Sequence, residues 1–203
     1  MFEQAGSYPI LTLLLASLVI MGSPGPSTIS ATAVGAAYGF RRSSSYVFGL
    51  IAGTIVVLLA VAVGVVTVLL SVPHGALALT VVSTLYIAYL AFRIATAPPL
   101  RRGSDQVARP AFTGGFLLAV ANPKAYFAIA AVFAGVSLFK DQGMLDAAIK
   151  IILLSMMIVI IHLCWLLVGS SLSRFLQNPV ISRIVNISLA GVLIITTALA
   201  LSG

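Results

Sequence analysis

The chain has 203 residues, of which 61% are apolar and 7% are charged, and its formal net charge is +7. Soluble domains carry roughly 25% charged residues, so a mean hydropathy of +1.18 excludes a soluble enzyme or binding module. The single cysteine, Cys164, excludes a disulfide-built domain. The basic residues lie at the ends of apolar segments and not on a hydrophilic surface, which excludes a nucleic-acid binder. The composition predicts an integral membrane protein whose first partner is the lipid bilayer.

Six apolar segments are long enough to cross a bilayer, since a helix needs about 20 apolar residues to span about 30 Å of hydrocarbon. They cover residues 8–38, 46–70, 77–96, 112–139, 147–170 and 183–201. The breaks between them are short, the first at residues 41–45, and leave no room for a soluble domain. The start of the chain carries no basic residue and does not resemble a cleavable signal peptide. The sequence predicts an all-α, polytopic membrane protein with one transmembrane domain over residues 1–203.

Basic residues are distributed unequally between the two sides of these spans. The breaks after spans one, three and five collect eight of them, namely Arg41, Arg42, Arg93, Arg101, Arg102, Arg109, Arg174 and Arg183. The opposite side collects Lys140 and Lys150, which are offset by Asp141 and Asp146. Because cytoplasmic loops carry the excess of Lys and Arg, the pattern predicts an inner-membrane protein with both termini outside the cytoplasm.

Proline interrupts spans one and four near their middle. Span one contains Pro24 and Pro26, and span four, the first of the second set of three, contains Pro123. An odd number of crossings per set makes the second set inverted. The chain therefore divides into inverted three-helix repeats of about 8–97 and 111–203, with helices one and four broken at mid-membrane. Broken backbone is tolerated there where it faces a cavity or a neighbouring helix.

Both interruptions have the residues of a helix that starts again. Asn122 is a favoured N-cap and Pro123 a favoured first helical residue, and Gly25 and Pro26 can take the same two parts. Each restart places a helix N-terminus, with its unpaired N–H groups and partial positive charge, within the membrane. Secondary transporters hold anionic substrate groups in this way. The alternative is a pair of kinks that only shape helix packing.

Lys124 is the one formal charge near the centre of a span. A charge at that depth costs about 2.5–3.5 kcal/mol on insertion scales, and the nearest interface is about 15 Å away, beyond the reach of a lysine side chain. No Asp or Glu lies in a span core. The counter-charge is therefore expected from a ligand carboxylate, or Lys124 is neutral when no ligand is bound because burial penalises its charged form.

At these residues the chain resembles the LysE/RhtB family of amino-acid exporters. The family's first-span element appears as Pro24-Gly25-Pro26 and its fourth-span element as Asn122-Pro123-Lys124-Ala125. A Phe112-Thr113-Gly114-Gly115-Phe116 run precedes the second element, and the run from Tyr86 to Arg93 fits the third span. The chain has Ser27 where the family usually has Asn after its Pro-Gly-Pro, and Ala91 where Gly is common. The resemblance covers essentially the whole chain and implies export of amino acids across the inner membrane by an antiporter driven by the proton motive force, without a cofactor.

A zwitterionic amino acid fits the predicted site. Its carboxylate is expected at Lys124 and at the N–H groups that follow Pro26 and Pro123, and its ammonium at carbonyls freed by the breaks or at hydroxyls. The absence of an acidic residue in the span cores favours neutral over dibasic substrates. The residues predicted to bind substrate are Ser23, Pro24, Gly25, Pro26, Ser27, Thr28, Tyr86, Asn122, Pro123 and Lys124.

His162 lies in span five, three residues before Trp165 on the same helical face. Histidine titrates near neutral pH, so His162 or Lys124 could carry the coupling proton. A packing histidine held by a hydrogen bond is the alternative.

Two other functions are weighed against amino-acid export. A divalent or heavy-metal exporter needs carboxylates, thiolates or several imidazoles, and the spans offer one Cys and one His, so no metal site is predicted. An intramembrane serine protease would need a positioned Ser–His pair, and Ser23 and Ser170 have no convincing nucleophile motif, so no enzyme activity is predicted. Four-residue glycine spacings, Gly35/Gly39 and Gly49/Gly53, allow close helix packing and leave a homodimer open.

Overall fold

The computed structural model describes residues 8–64, 111–139, 141–172 and 179–202, together with single positions between 71 and 96. The regular structure in these residues is α-helical. The helices are α1 (Pro9–Ile20), α2 (Pro26–Ala62), α3 (Phe112–Val120), α4 (Pro123–Gly135), α5 (Gly143–Leu172) and α6 (Pro179–Ser202). The predicted third span, 77–96, is described at isolated positions, so its bounds lie outside the described residues.

Two described helical stretches, Pro26–Ala62 and Gly143–Ser171, meet the length and composition of a membrane span, although the first of them turns at Gly39. The pair α3 and α4 meets the same criterion as one span bent by 60°. Large apolar side chains on these helices are exposed, including Phe48, Phe127 and Ile152. Such surfaces suit contact with lipid tails, and the described residues therefore have the composition of a membrane protein.

Both predicted helix interruptions are present. In span one, α1 ends at Ile20 and α2 begins at Pro26 after a capping residue, Gly25, in extended conformation. In span four, α3 ends at Val120 and α4 begins at Pro123 after Asn122. The prediction of restarts, with proline as the first residue of each new helix, is confirmed.

Helix α2 reverses direction at Gly39, which has φ +74° and ψ 170°. The Ser43 hydroxyl donates a 2.8 Å hydrogen bond to the Val34 carbonyl, and Ser30 and Tyr46 share a buried hydrogen bond. Sixteen residues of straight helix would separate Ser30 and Tyr46 by about 24 Å, so the segments before and after Gly39 form a hairpin. The predicted break at residues 41–45 is wrong by a few positions. Those residues continue the second segment as helix because only glycine adopts the turn conformation without strain.

Glycines let the helices of the core touch backbone to backbone. A Cβ on Gly49 would overlap the Phe112 carbonyl, and a Cβ on Gly115 would overlap the Tyr46 carbonyl, so α2 and α3 pack by reciprocal close approach. Gly35 packs in the same way on Leu166 of α5. A Cβ on Gly39, in contrast, would meet no atom within 4 Å. In the Gly35/Gly39 pair the second glycine therefore serves the turn and not helix packing.

A buried ion pair joins the end of α4 to the start of α5. Lys150 Nζ lies 2.6 Å from Asp146 Oδ2 and donates a 2.9 Å hydrogen bond to the carbonyl of Phe133, in the last turn of α4. Asp146 Oδ1 accepts from the backbone N–H groups of Leu138 and Phe139. The pair satisfies a C-terminal carbonyl and two loop donors that would otherwise be unpaired. The sequence pattern alone treats these two residues as charges on the outer side of the membrane.

Candidate functional site

The two helix interruptions lie against each other. Asn122 Nδ2 donates a 2.9 Å hydrogen bond to Ser27 Oγ, and both side chains are buried. Lys124 Nζ crosses to the first interruption, where it meets Ser23 and Pro24. The residues of both sequence motifs therefore form one site.

Local hydrogen bonds fix the start of α2. Thr28 Oγ1 accepts a 2.9 Å hydrogen bond from the N–H of Gly25 and donates to the Gly25 carbonyl at 3.1 Å. Ser27 and Thr28 occupy the first turn of α2, where backbone N–H groups have no carbonyl partner within the helix. This end of α2 carries the partial positive charge of a helix N-terminus.

Asn122 fixes the start of α4 with its side chain. Its Oδ1 accepts a 3.2 Å hydrogen bond from the N–H of Lys124, as an N-cap does. Pro123 has no N–H to satisfy, so the first helical position leaves no orphan donor. The same asparagine caps one helix and, through Nδ2, is bonded to the other.

Lys124 is half-buried, and its ammonium group has three acceptors. They are Ser23 O, Ser23 Oγ and Pro24 O, each at 2.8 Å from Nζ. A Cβ on Gly25 would lie 2.6 Å from Lys124 Cδ and 2.7 Å from Nζ, so the glycine leaves the room in which the lysine lies. The acceptors are neutral, and no acidic side chain of the described residues forms an ion pair with Lys124. Its hydrogen bonds are complete, but its positive charge is not balanced.

His162 of α5 is 4% exposed. Its Nδ1 lies 2.8 Å from the carbonyl oxygen of Ile158. A carbonyl can only accept, so the geometry assigns a ring proton to Nδ1, and in the neutral ring Nε2 keeps a lone pair. Nε2 is buried and has no hydrogen-bond partner within the described part of the chain.

A cavity connects these groups. Its empty volume is about 430 Å³, a figure that includes the open space at its mouth. Apolar walls come from Met21, Ile129, Ile158 and Ile161. The polar lining includes Ser23, Ser27, Thr28, Asn122, Lys124 and His162.

Helix α5 also holds the first interruption directly. Trp165 Nε1 donates a 3.1 Å hydrogen bond to the carbonyl of Gly22, one of the acceptors freed where α1 ends. Thr32 Oγ1 lies 3.3 Å from the Trp165 carbonyl and donates to it. Trp165 is therefore a hydrogen-bonding partner of the broken helix and not simply a packing aromatic.

The structure brings together nine of the ten residues predicted to bind substrate. Ser23, Gly25, Ser27, Thr28, Asn122 and Lys124 line the cavity, Pro24 offers its carbonyl to Lys124, and Pro26 and Pro123 begin the two helices. Tyr86 lies outside the described residues.

Two features of the site were missed from the sequence. Thr54, which lines the cavity from α2, is flanked by apolar residues and carries no local signal. Two of the three acceptors of Lys124 are main-chain carbonyls of residues 100 and 101 positions earlier, which a sequence pattern does not encode. No group of three or more His, Cys, Asp or Glu residues that could hold a metal ion occurs among the residues that the structure describes.

A family model, LysE type translocator, matches residues 18–202. The chain belongs to the LysE type translocator family. Its match covers both helix interruptions and the helices that surround the cavity. Members of this family are transporters and not enzymes, and the chain is accordingly a multi-pass translocator of the inner membrane.

The curated relatives that match this translocator all have the same name, which describes an efflux function. The cysteine/O-acetylserine efflux protein of Escherichia coli O139:H28 (strain E24377A / ETEC) is 28% identical over 179 residues, which are 88% of this chain and 90% of that protein. The protein of the same name from Escherichia coli strain K12 is 27% identical over the same shares, as is that of Shigella flexneri. No solved structure matches the translocator. These relatives are therefore amino-acid efflux proteins, and their identity to this chain is low.

Proposed function

We propose that this translocator exports small, neutral, zwitterionic amino acids by secondary active transport coupled to protons. Cysteine and O-acetylserine, named for the relatives, belong to this class. The observation that carries the proposal is an uncompensated ammonium, that of Lys124, in a cavity where two helices begin. An amino-acid carboxylate supplies the negative charge that no described residue places beside Lys124.

The carboxylate binds by exchanging one neutral acceptor of Lys124 for a charged one. Lys124 donates as a cation in both cases, but a carboxylate adds the Coulomb attraction between opposite charges, which is stronger in a partly buried site than in water, so the exchange favours the bound state. The first turns of α2 and α4 add backbone N–H groups and the positive ends of two helix dipoles. Ser27 and Thr28 stand in the first of these turns.

A neutral substrate fits better than a dibasic one. Among the residues that the structure describes, those lining the cavity include no Asp or Glu. A second cationic group on the substrate would lose its hydration without gaining an anionic partner, which is costly. The same lack of carboxylates and thiolates disfavours a metal ion as cargo.

The architecture that fits this function is a pair of inverted three-helix repeats with both termini outside the cytoplasm. The matched interruptions before Pro26 and before Pro123 support the repeat, because they fall at corresponding helices. Half-helices from the two repeats then leave the site in opposite directions, as in other secondary transporters. The proton is carried by His162 or by Lys124, the two titratable groups among the described residues that line the cavity.

Counterflow in proteoliposomes tests the proposal. The purified protein is reconstituted and offered labelled alanine, serine, cysteine, O-acetylserine, lysine and glutamate, with and without an imposed proton gradient. We expect uptake of the neutral members, and loss of at least about 90% of it in Lys124→Ala, since a hydrogen bond to a charged group is worth at least tenfold in binding. The matched control is Cys164→Ala, an exposed position on α5.

Each part of the proposal has its own contrary result. Normal counterflow in Lys124→Ala overturns the carboxylate site. Preference for lysine overturns the neutral substrate class. A rate that does not respond to the proton gradient overturns proton coupling and leaves the substrate assignment in place.

A further inference from the structure

The hydrogen-bond acceptors of Gly22, Ser23, Pro24 and Gly25, at the interruption of span one, already have donors within the protein. Ser23 O, Pro24 O and Ser23 Oγ receive the ammonium of Lys124. The Gly22 carbonyl receives Trp165, and the Gly25 carbonyl receives Thr28 Oγ1 and the N–H of Ile29. The carbonyls of Gly22, Ser23, Pro24 and Gly25, where the sequence places acceptors for the substrate's ammonium group, are therefore occupied by the protein itself.

An unused acceptor lines the cavity on the α5 side. With its proton on Nδ1 and held by Ile158, His162 presents a lone pair on Nε2 that meets no donor in the described residues. An unpaired buried acceptor carries a desolvation cost that a ligand donor removes. The position is 4% exposed, so bulk water does not supply that donor freely.

Thr54 offers a second acceptor on the α2 side. Its Oγ1 donates a 2.7 Å hydrogen bond to the Leu50 carbonyl, which uses its one proton and leaves its lone pairs. Thr54 and His162 line the same cavity as Lys124. The cavity thus has a cationic donor on α4 and neutral acceptors on α2 and α5.

We propose that His162 Nε2, assisted by Thr54 Oγ1, binds the α-ammonium group of the substrate, and that this pair makes the translocator select α-amino acids over carboxylic acids without the amine. The inference rests on the proposed function, because it assumes that a carboxylate binds at Lys124. An ammonium group has three donors and suits two neutral acceptors. Neutral acceptors hold it without the cost of burying a fixed anion.

Ligand pairs that differ in the amine alone test the proposal. Alanine is compared with propionate, serine with 3-hydroxypropionate, and cysteine with 3-mercaptopropionate, each as an inhibitor of counterflow in the reconstituted full chain. The wild-type protein is expected to bind the amino acid about tenfold to a hundredfold more tightly, the range for hydrogen bonds to a charged group.

The variants separate recognition from folding. His162→Phe keeps the ring volume without an acceptor and is expected to lose most of the preference, whereas His162→Gln keeps an acceptor oxygen and most of the preference. Thr54→Val, on a different helix, is expected to reduce it severalfold. If His162→Phe does not fold, Thr54→Val and His162→Gln still decide the question. Cys164→Ala is the control.

A packing role for His162 gives a different result. Affinity for both members of each pair then falls together in His162→Phe, and the preference stays, which overturns the inference while amino-acid transport stands. A wild-type protein that binds neither member of any pair overturns the proposed function, and the inference falls with it.

Discussion

The side-chain amide of Asn122 donates a 2.9 Å hydrogen bond to the hydroxyl of Ser27, and so joins two helix interruptions that are 95 residues apart in the sequence. The same amide group caps α4 through its oxygen. One buried side chain therefore sets both the start of a helix and its position against the other interruption. The geometry around Lys124 depends on this pair, because Lys124 is the second residue of the capped helix.

A double-mutant cycle on this pair is expected to show coupling. Asn122→Ala removes an N-cap, which costs about 0.5–2 kcal/mol, and Ser27→Ala leaves the buried amide without an acceptor. We expect the double variant to be more stable than the sum of the single variants predicts, by about 1 kcal/mol. Thermal unfolding in detergent micelles measures this coupling. If the destabilisations of the two single variants simply add in the double variant, the Asn122–Ser27 hydrogen bond is contradicted.

Gly25→Ala is expected to impair transport without unfolding the protein. The new Cβ would lie 2.6–2.7 Å from the end of the Lys124 side chain, which is flexible and moves away from its acceptors. We expect transport to fall about tenfold, the worth of a hydrogen bond to a charged group. Gly135→Ala, where a Cβ meets no atom within 4 Å, is the control. Unchanged transport in Gly25→Ala would show that the position of Lys124 is not critical.

Breaking the Asp146–Lys150 pair from one side is expected to destabilise the protein more than removing both charges. Asp146→Ala leaves a buried ammonium unpaired, and such a change costs about 3–5 kcal/mol. Adding Lys150→Met removes that charge and recovers part of the loss, although the N–H groups of Leu138 and Phe139 stay unpaired. The measurement is the unfolding temperature of Asp146→Ala, compared with that of the double variant that also carries Lys150→Met. Equal destabilisation would mean that the loop hydrogen bonds, and not the ion pair, dominate.

Gly39→Ala is expected to lower stability by about 1–3 kcal/mol, the cost of a side chain at a φ and ψ that only glycine adopts freely. A Cβ at Gly39 meets nothing within 4 Å, so the cost is conformational and not steric contact with neighbours. This cost is measured as the difference in the free energy of unfolding between Gly39→Ala and Gly135→Ala. Equal stability of these two variants would show that the hairpin of α2 forms without a glycine turn.

The two helix starts in the site could be predicted from the sequence, because capping depends on residues close together in the chain. Gly25-Pro26 and Asn122-Pro123 are start signals read within a few residues, and a helix begins at each. The partners of Lys124 and Trp165 could not be predicted in this way, because tertiary packing brings them near and most of them are main-chain carbonyls. The turn at Gly39 was misplaced because the two arginines that follow it mark a membrane boundary, whereas backbone conformation decides where the chain reverses. The role of Asp146 was missed since nothing in its neighbours distinguishes a buried acid from a solvated one.

The hydrogen bond from Trp165 to Gly22 also provides an optical readout. Trp165 is the sole tryptophan of the chain, so ultraviolet excitation reports on one indole, and that indole is bonded to the end of α1. When this bond breaks or its surroundings become wetter, the emission shifts in colour and intensity. The unmodified protein thus contains its own fluorophore for following changes at the end of α1 in real time, without an attached dye.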